Sequence, residues 1–401
     1  MTHAFLHSFA DPAKDESAFI NIVRAEGAEI FDDTGKAYID AMASLWYCQV
    51  GHGRREIIDA ISAQLSTLDV YNTFDPFTND RAATAAAMIA ERSPMPDGRV
   101  FLSCSGSEAV DTALKLARLV QQRRGPAERQ IIVRRTRGYH GTNFGGTSAQ
   151  GIAPNRDGWG DLVPHFVEVD PDDIEAMATL FADHGERIAA VITEPVQGAG
   201  GVFPPPEGYL AGLRRLCDDN GSLLIFDEVI CGFGRTGSWF GAQTFGVTPD
   251  LITFAKGVTS GYQPVSGVIV GRGVADELES MGTMLRTGYT YSGHPAGAAA
   301  VIANLELMEA EGLVERANHL GRLFDAGLGA LAADGTVEHH AGIGGVWAVE
   351  LGRDSIPVRN EIIANGVILR AIGTRLAICP PLTTTDAQVA TIIDTLRAAL
   401  V

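Results

Sequence analysis

The chain contains the segment Asp250-Leu251-Ile252-Thr253-Phe254-Ala255-Lys256-Gly257. Its apolar run has strand character and ends on a lysine followed by a glycine, a residue typical of turns. Ammonium groups are usually solvated, so a lysine at the end of a buried strand suggests a desolvated amine with a lowered pKa, as Schiff-base chemistry requires. The alternative is an ordinary surface lysine that ends a strand.

A second apolar run, upstream of the first, ends on a carboxylate. Residues 223–226 are apolar and Asp227 follows them. In parallel α/β sheets, ligands bind outside the carboxyl ends of the strands, so Asp227 and Lys256 are expected to face one crevice. Pyridoxal 5′-phosphate (PLP) needs this pair, because an amine holds its aldehyde and a carboxylate faces its pyridine nitrogen. The two strands together therefore indicate a PLP site.

The composition is that of a globular protein. Of 401 residues, 46% are hydrophobic and 20% are charged, and this length suffices for two domains or one large one. The formal net charge of −18 argues against a surface for nucleic acid or anionic membranes, because both need clustered Lys and Arg. Neither a signal-peptide pattern nor about 18 consecutive apolar residues occur, so no export and no membrane span are predicted.

Cysteine usage predicts a reducing compartment. The chain has an odd number of cysteines and no C-x-x-C spacing; they are Cys48, Cys104, Cys217, Cys231 and Cys379. Free thiols of this kind are typical of the cytoplasm, which is the predicted location. The sequence also lacks H-E-x-x-H, G-x-S-x-G and Walker A motifs, so no metal site is predicted and hydrolase and NTPase functions lack their core residues.

Strand and helix patterns alternate through the middle of the chain. The predicted strands are residues 100–103, 131–134, 190–193, 223–226, 251–254 and 265–270. The predicted helices between them lie near residues 108–120, 172–183 and 209–219. This alternation predicts an α/β fold in which helices cover a mostly parallel sheet.

The two ends of the chain predict a second unit. A turn at residues 32–35 joins two short strand patterns within the segment 1–50. A long alanine-rich helix follows His294-Pro295 and leads into the last part of the chain. We therefore predict a large domain at residues 51–295 and a smaller α+β domain at residues 296–401, to which the segment 1–50 contributes.

A serine-glycine-serine segment predicts a phosphate cradle. Ser105, Gly106 and Ser107 stand between a strand and a run of good helix formers. Backbone N–H groups, hydroxyls and the positive end of the helix macrodipole would meet there and favour a phosphate. Taken alone, the pattern fits an ordinary serine N-cap better, and its convergence with Lys256 is what favours the phosphate.

Two more strand ends add side chains to the same edge. Tyr139 and His140 follow the strand at 131–134, where an aromatic ring can stack on a flat cofactor. Glu194 follows the strand at 190–193 and adds a carboxylate. As isolated residues, Tyr139 and His140 are more often structural.

Seven segments occur in the order found in class III aminotransferases. They are 105–109 (Ser-Gly-Ser-Glu-Ala), 139–141 (Tyr-His-Gly), 194–201 (Glu-Pro-Val-Gln-Gly-Ala-Gly-Gly), 226–229 (Phe-Asp-Glu-Val), 232–237 (Gly-Phe-Gly-Arg-Thr-Gly), 256–257 (Lys-Gly) and 288–295 (Gly-Tyr-Thr-Tyr-Ser-Gly-His-Pro). From about residue 7 to its end, the chain resembles this family of fold-type I PLP enzymes. Ser-Leu-Trp at 44–46 and Leu-Arg at 369–370 are similar to the ω-transaminases, which use amines or ω-amino acids with pyruvate.

The resemblance implies a seven-stranded sheet, with helices on both faces, and a small domain built from both termini. It implies that Lys256 binds the cofactor aldehyde and then moves the substrate proton, while Asp227 keeps the pyridine nitrogen protonated. The implied cofactor-binding residues are Ser105, Gly106, Ser107, Tyr139, His140, Glu194, Asp227, Val229, Lys256 and, from a neighbouring subunit, Thr290.

The resemblance also implies a substrate pocket. Arg370 would bind the carboxylate of the keto acid and move aside for an apolar amine. Trp46, Phe9, Phe74 and Ala199 would line the pocket, with Phe74 from the partner chain, although isolated aromatic residues are more often core. Asp75 stands where many relatives have an aromatic residue, and Tyr47 where small residues are common. These two departures leave open which substrate groups the large pocket prefers.

The function implied is PLP-dependent, ping-pong transfer of an amino group from a primary amine or ω-amino acid to pyruvate. The resemblance further implies (S)-selectivity and a homodimer with shared active sites. Alternatives are a transaminase of ω-amino acids or diamines with 2-oxoglutarate, an aminomutase or decarboxylase of the same fold, and a non-catalytic relative, which would have lost Lys256. The glycines at 232–237 match a dinucleotide-binding motif, but no helix clearly opens after them.

Overall fold

Strands occur along most of the chain in the computed structural model, which describes residues 4–125 and 128–400. In chain order they are β1 Ile22–Glu26, β2 Glu29–Asp32, β3 Ala37–Asp40, β4 Arg99–Ser103, β5 Ile131–Arg135, β6 Phe166–Val169, β7 Ile188–Thr193, β8 Leu223–Asp227, β9 Leu251–Phe254, β10 Ser266–Val270, β11 His339–Ile343, β12 Val346–Glu350, β13 Val367–Ile368, β14 Arg370–Ile372 and β15 Arg375–Ile378. Within the described residues they form one seven-stranded sheet and two four-stranded sheets.

Helices connect most of these strands. They are α1 Ala43–Trp46, α2 Arg55–Thr67, α3 Asp80–Arg92, α4 Gly106–Arg124, α5 Phe144–Ala149, α6 Ile174–His184, α7 Tyr209–Asn220, α8 Gly241–Thr244, α9 Arg272–Glu279, α10 Pro295–Ala310, α11 Leu313–Ala333, α12 Ile356–Ala364 and α13 Asp386–Leu400. Several begin where the sequence provides a cap: Asn79 and Asp173 accept backbone N–H groups of α3 and α6, and Pro295 occupies the first position of α10. In the part of the chain that the structure describes, no helix combines the length and apolar character needed to cross a bilayer.

The large sheet is mostly parallel, as predicted. Its strand order is β4-β10-β9-β8-β7-β5-β6, and β10 alone runs antiparallel to its two neighbours. The central strands are buried over their whole length, which explains their continuous apolar sequences. The prediction missed β6, a four-residue edge strand with an exposed glutamate, because its short alternating pattern resembles a loop.

Helices cover both faces of this sheet. Alternate residues of β8 point to opposite sides: Leu224 and Phe226 belong to a core cluster that includes residues of α6, α7 and α10. Leu223 and Ile225 belong to a second cluster, which includes residues of α4 and α9. The predicted helix-covered sheet is therefore confirmed, and its carboxyl edge remains available for a site.

The smaller sheets combine distant parts of the chain. One has the order β1-β2-β3-β13, in which β3 pairs in parallel with Val367–Ile368 from the C-terminal part. The other has the order β11-β12-β15-β14 and packs against α11. N-terminal and C-terminal strands thus share a sheet, while the domain limits at residues 50 and 295 stay a prediction.

Candidate active site

The parallel strands deliver polar side chains to one edge of the large sheet. Strands β4, β5, β7, β8 and β9 share one direction, so their carboxyl ends lie at the same edge. A cavity of about 170 Å³ opens there. Its lining residues are Gly106, Ser107, Val110, Tyr139, Gly141, Glu194, Asp227, Val229, Ile230, Ala255 and Lys256. Seven residues singled out from the sequence therefore meet in one cavity.

Lys256 occupies a strained turn directly after β9. Its φ of 50° lies in the left-handed region, which costs free energy for a residue with a side chain and occurs preferentially at functional sites. Burial lowers the pKa of its amine, while the carboxylates of Asp227 and Glu194 oppose that shift. The lowered pKa increases the fraction of neutral amine, which is the nucleophilic and proton-accepting form.

Asp227 is buried, and its carboxylate makes hydrogen bonds to three residues. Its Oδ2 lies 2.8 Å from Nδ1 of His140, and its Oδ1 accepts from Thr253 Oγ1 at 3.0 Å. The Val229 N–H also donates to Oδ1, at 3.2 Å. Thr253 is the direct partner of Asp227 in the β8–β9 register. Because both oxygens are engaged, the carboxylate has one orientation at the cavity wall.

Glu194 is a second buried carboxylate of the cavity. It accepts the backbone N–H groups of Tyr139 and Gly198, each at 2.9 Å. Burial, together with the charge of Asp227, raises its pKa to about 7, despite the opposing influence of His140 and the two N–H groups. Glu194 therefore ties the segment after β5 to the loop after β7, and it titrates near neutral pH.

The predicted phosphate cradle is the N-terminus of α4. Ser105 caps this helix by accepting the Glu108 N–H at 3.2 Å, so its hydroxyl serves the helix and does not line the cavity. Gly106 and Ser107 follow in the first turn, where backbone N–H groups have no partner within the helix. A Cβ atom at Gly106 would lie 3.2 Å from both methyl groups of Val229. The glycine thus keeps the floor of the cavity open.

Three predicted substrate residues lie around this cavity. Arg370, on β14, is partly buried, and burial lowers its pKa while Tyr139 raises it. The pKa of Lys256 is in turn lowered by Arg370, so the guanidinium and the amine lie within electrostatic reach. Trp46 and Ala199 pack in one apolar cluster with Ile230, which lines the cavity.

The other predicted residues lie apart from the cavity within one chain. Phe9 is exposed and lines a separate cavity of about 380 Å³ with Phe144 and Trp159. Phe74 is half-exposed and packs against Gly288. Thr290 lies nearby on an exposed loop. A single chain therefore does not bring these three residues to Lys256.

The two departures from the family pattern have different surroundings. The hydroxyl of Tyr47 lies 2.6 Å from Ser44 Oγ, and its ring packs closely against Gly261. Asp75 is exposed. Tyr47 is therefore fixed by the fold, whereas Asp75 faces outwards in one chain.

The chain is similar to known proteins over nearly its whole length. A family model described as Aminotransferase class-III matches residues 10–400. The chain belongs to the class III aminotransferases. The putrescine–pyruvate aminotransferase of Pseudomonas aeruginosa is 34% identical, over 94% of this chain and 90% of that protein. The beta-alanine–pyruvate aminotransferase of the same organism is 39% identical, over 77% of this chain and 74% of that protein.

The chain is also similar to a 2-oxoglutarate transaminase and to a solved amine transaminase. The diaminobutyrate–2-oxoglutarate transaminase of Halomonas elongata is 34% identical, over 98% of this chain and 92% of that protein. An amine transaminase from an uncultivated Pseudomonas species, solved with PLP bound, is similar in structure with a TM-score of 0.95. It is 34% identical, and the match covers all of this chain and 99% of that one. The fold and the ω-transaminase resemblance are confirmed.

PLP is the cofactor of this aminotransferase, and the cavity fits it. The first turn of α4 offers N–H donors for a phosphate, Asp227 offers an anion for the pyridine nitrogen, and Lys256 offers an amine for the aldehyde. Among residues 4–125 and 128–400, no group of three or more His, Cys, Asp or Glu side chains is arranged to hold a metal ion. The donor set is therefore that of a PLP site.

Two buried residues next to Asp227, Glu228 in sequence and Thr253 across the strands, were not singled out from the sequence. Glu228 is fully buried and accepts the N–H groups of Gly241 and Ala242 at 2.5 and 2.6 Å, and burial raises its pKa to about 8. Thr253 orients Asp227 through the bond described above. The position of Thr253 follows from strand register, which sequence patterns do not fix for strands buried on both faces.

Proposed function

We propose that this aminotransferase moves an amino group from a primary amine or an ω-amino acid to pyruvate, with (S)-selectivity, in a ping-pong reaction. The observation that carries the proposal is that Lys256 and Asp227 meet in one cavity at the edge of the large sheet, with Arg370 of β14 within electrostatic reach of Lys256. Two relatives named as pyruvate aminotransferases support the acceptor. Rates with the two enantiomers of 1-phenylethylamine test the selectivity.

The proposed roles follow from the chemistry of each side chain. Bound PLP supplies the electron sink that stabilises negative charge on the substrate carbon. The neutral amine of Lys256 binds the cofactor and accepts or returns the substrate proton at Nζ. The carboxylate of Asp227 favours the protonated pyridine nitrogen, because an anion close to a base stabilises its cationic form. Gly106 and Ser107 hold the phosphate, together with Thr290 of a neighbouring subunit.

Arg370 is proposed to bind substrate in the pyruvate half-reaction but not in the half-reaction with an apolar amine. A guanidinium binds a carboxylate through two parallel charge-assisted hydrogen bonds, and its long side chain can withdraw from an apolar amine. Replacement by alanine removes contacts worth about 1.5–3 kcal/mol each. We therefore expect the kcat/KM for pyruvate to fall roughly tenfold to a few hundredfold in Arg370→Ala. Deamination of 1-phenylethylamine is expected to change much less.

Single-turnover rates of both half-reactions on purified Arg370→Ala test this prediction. Arg353→Ala, at an exposed position in the same part of the chain, is the matched control and should resemble wild type. Equal losses in both half-reactions would show that Arg370 is structural. An unchanged pyruvate half-reaction would show that another group binds the carboxylate.

Single-turnover rates and product analysis on the wild-type protein decide between pyruvate and 2-oxoglutarate as acceptor, and between transamination and the alternative reactions. The Halomonas relative is named as a 2-oxoglutarate transaminase, which supports 2-oxoglutarate as the second candidate acceptor. Faster single turnovers with 2-oxoglutarate than with pyruvate would favour it. An aminomutase would yield a rearranged amine and a decarboxylase would release CO₂, whereas a transaminase yields the keto product in step with the new amino acid.

We infer that the active unit is a homodimer with shared sites. Large apolar side chains are exposed on one chain; they include Phe5, Leu6, Phe9, Val70, Tyr71, Phe74, Phe77, Phe144 and Trp159. Within this set, Phe9, Phe144 and Trp159 line one cavity, and Tyr71 packs on Phe77. Exposed apolar surface of this kind is typical of an interaction site, and a two-fold dimer buries the same surface on both chains. This arrangement would also bring Thr290 and Phe74 to the neighbouring site.

Subunit mixing tests the shared site. Lys256→Ala and Thr290→Asp homodimers are each expected to be nearly inactive, the latter because a carboxylate repels the cofactor phosphate. A mixed dimer has one site with both Lys256 and Thr290 intact. Random re-association should therefore restore about a quarter of the wild-type rate, since half of the dimers are mixed and each has one intact site of two. No recovery would place Thr290 in the site of its own chain, and sedimentation as a fully active monomer would exclude the dimer.

The proposed location is the cytoplasm. All five cysteines are unpaired, and four of them are buried. Burial raises the pKa of Cys48 and Cys217 to about 12, so these thiols stay protonated and unreactive at neutral pH. Unpaired thiols of this kind support a reducing compartment.

A further inference from the structure

Two arginines stack on one phenylalanine beside the active site. The guanidinium carbon of Arg137 lies 3.9 Å from the centre of the Phe203 ring, and that of Arg375 lies 4.2 Å from it. Cation–π contacts of this kind are stronger when the two partners are desolvated than when they are exposed. Arg375 is only 5% exposed, so its contact belongs to the desolvated class. We call this group the Phe203 stack.

Charged partners hold the two arginines in place. Arg137 forms an ion pair of 2.5 Å with Asp172. Arg375 lies 3.6 Å from Glu350 and donates to the Val202 carbonyl at 3.3 Å. The pKa of Arg375 is lowered by burial and by the charge of Arg137. The flat ring and the two acids therefore keep together a pair of like charges that would otherwise separate.

Phe203 closes a tight loop. Gln197 and Phe203 form a β-bridge, in which each N–H donates to the carbonyl of the other at 3.1 and 2.9 Å. Within the loop, Val202 has a φ of 58°, which is unfavourable for a β-branched residue. A Cβ atom at Gly200 would lie 2.3 Å from the Arg137 carbonyl, so the loop packs directly on the backbone of Arg137. The stack thus stabilises a strained loop.

Each member of the stack belongs to a segment that carries a proposed site residue. Arg137 is two residues before Tyr139, and the loop closed by Phe203 contains Ala199. Arg375 begins β15, which pairs with β14, the strand of Arg370: Ile372 faces Arg375 and Arg370 faces Ala377. The stack therefore connects the three segments that carry Tyr139, Ala199 and Arg370.

We propose that Phe203 is a positioning residue that sets where Arg370 stands relative to Tyr139, and thereby sets the affinity for substrates that carry a carboxylate. The proposal rests on the proposed function, because it assigns Arg370 to carboxylate binding. Phe203 itself is not among the residues that line the cavity. It acts by fixing the β14–β15 hairpin, through Arg375, to the segment of Arg137.

The test compares Phe203→Leu, which keeps apolar bulk but removes the aromatic face, with Phe203→Tyr, which keeps that face. Phe166→Leu is the matched control, since the Arg118 guanidinium carbon lies 5.5 Å from the Phe166 ring in the edge strand β6, outside the cavity lining. Two properties of each holoenzyme are measured: hydrogen exchange of the backbone amides at 198–202 and 370–377, and KM and kcat for pyruvate and for 1-phenylethylamine.

In Phe203→Leu we expect both segments to exchange about tenfold faster, which corresponds to about 1.4 kcal/mol of lost local stability. We expect the KM for pyruvate to rise about tenfold, with kcat and the KM for 1-phenylethylamine within about threefold of wild type. Phe203→Tyr and Phe166→Leu should resemble wild type, both in hydrogen exchange at 198–202 and 370–377 and in KM and kcat.

Several results would overturn the proposal. They are unchanged exchange at 370–377, faster exchange with an unchanged KM for pyruvate, or equal losses with both substrates. If Phe203→Leu does not fold, Arg375→Lys, which keeps the charge but not the planar group, must give the same pattern. If the wild-type protein transfers no amino group, the proposed function fails by itself, and hydrogen exchange alone then decides whether the stack fixes the hairpin.

Discussion

Lys256→Ala is expected to abolish turnover while PLP still binds without a covalent bond. The substitution removes the amine that is proposed both to attach the cofactor and to move the substrate proton. General acid–base catalysis alone contributes about 10²–10⁴-fold, so a loss of roughly 10⁴-fold or more is expected for the two roles together. The N–H donors of α4 and the carboxylate of Asp227 are unchanged, so the non-covalent contacts with the cofactor persist.

Two measurements check this prediction: turnover with 1-phenylethylamine and pyruvate, and the amount of PLP that remains with the protein after gel filtration. Lys36→Ala is the matched control, because Lys36 is exposed and its amine donates to the Ala364 carbonyl at 2.7 Å, away from the cavity lining. It should keep wild-type turnover. Near-normal turnover in Lys256→Ala would refute the assignment of Lys256 and, with it, the proposed mechanism.

The central strands of the large sheet were predictable because they are buried on both faces. Such strands appear in the sequence as continuous apolar runs that end at turn residues, and the runs ending at Asp227 and Lys256 both become strand ends at the same edge. Strand β6 was missed because its short alternating pattern resembles a loop, although the other edge strand, β4, was predicted. Continuous apolar sequence therefore identified the buried central strands, whereas the two partly exposed edge strands were identified less consistently.

The active site was only partly predictable, for a different physical reason. Residues directly after a strand inherit their position from the sheet, so Glu194 and Asp227 could be placed at the cavity from sequence. Residues that act from elsewhere depend on tertiary packing: Thr253 depends on register, and Phe203 meets its two arginines through a loop and a hairpin distant in sequence. Phe9, Phe74 and Thr290 lie apart from the cavity within one chain, so the predicted placement of these three residues is not explained by the fold of a single chain.

Electrostatics links Asp227, Glu194 and Lys256, three of the ionisable groups that line the cavity. The charge of Asp227 raises the pKa of both Glu194 and Lys256, while burial lowers the pKa of Lys256 and raises that of Glu194. With a pKa of about 7, Glu194 is partly protonated at neutral pH and adds less than a full negative charge. Burial has the largest influence on both pKa values, and the charge of Asp227 raises both.

Asp227→Asn is therefore expected to be nearly inactive, with a fall in kcat of at least roughly a hundredfold. The substitution preserves shape. The amide oxygen can still accept from Thr253 and Val229, and the amide nitrogen can donate to Nδ1 of His140 once that ring adopts its other tautomer. What disappears is the negative charge, and a neutral amide does not stabilise a protonated pyridine nitrogen.

A pH profile of the remaining activity distinguishes lost charge from lost structure. Removing the negative charge of Asp227 should lower the pKa of both Glu194 and Lys256, because that charge raises both values. Any limb of the profile that reports either group should therefore move to lower pH than in wild type. Asp386→Asn, at an exposed ion pair with Arg316, is the control and should change neither rate nor profile. Activity of Asp227→Asn within about tenfold of wild type, a barrier change of about 1.4 kcal/mol, would contradict the proposed role of the charge.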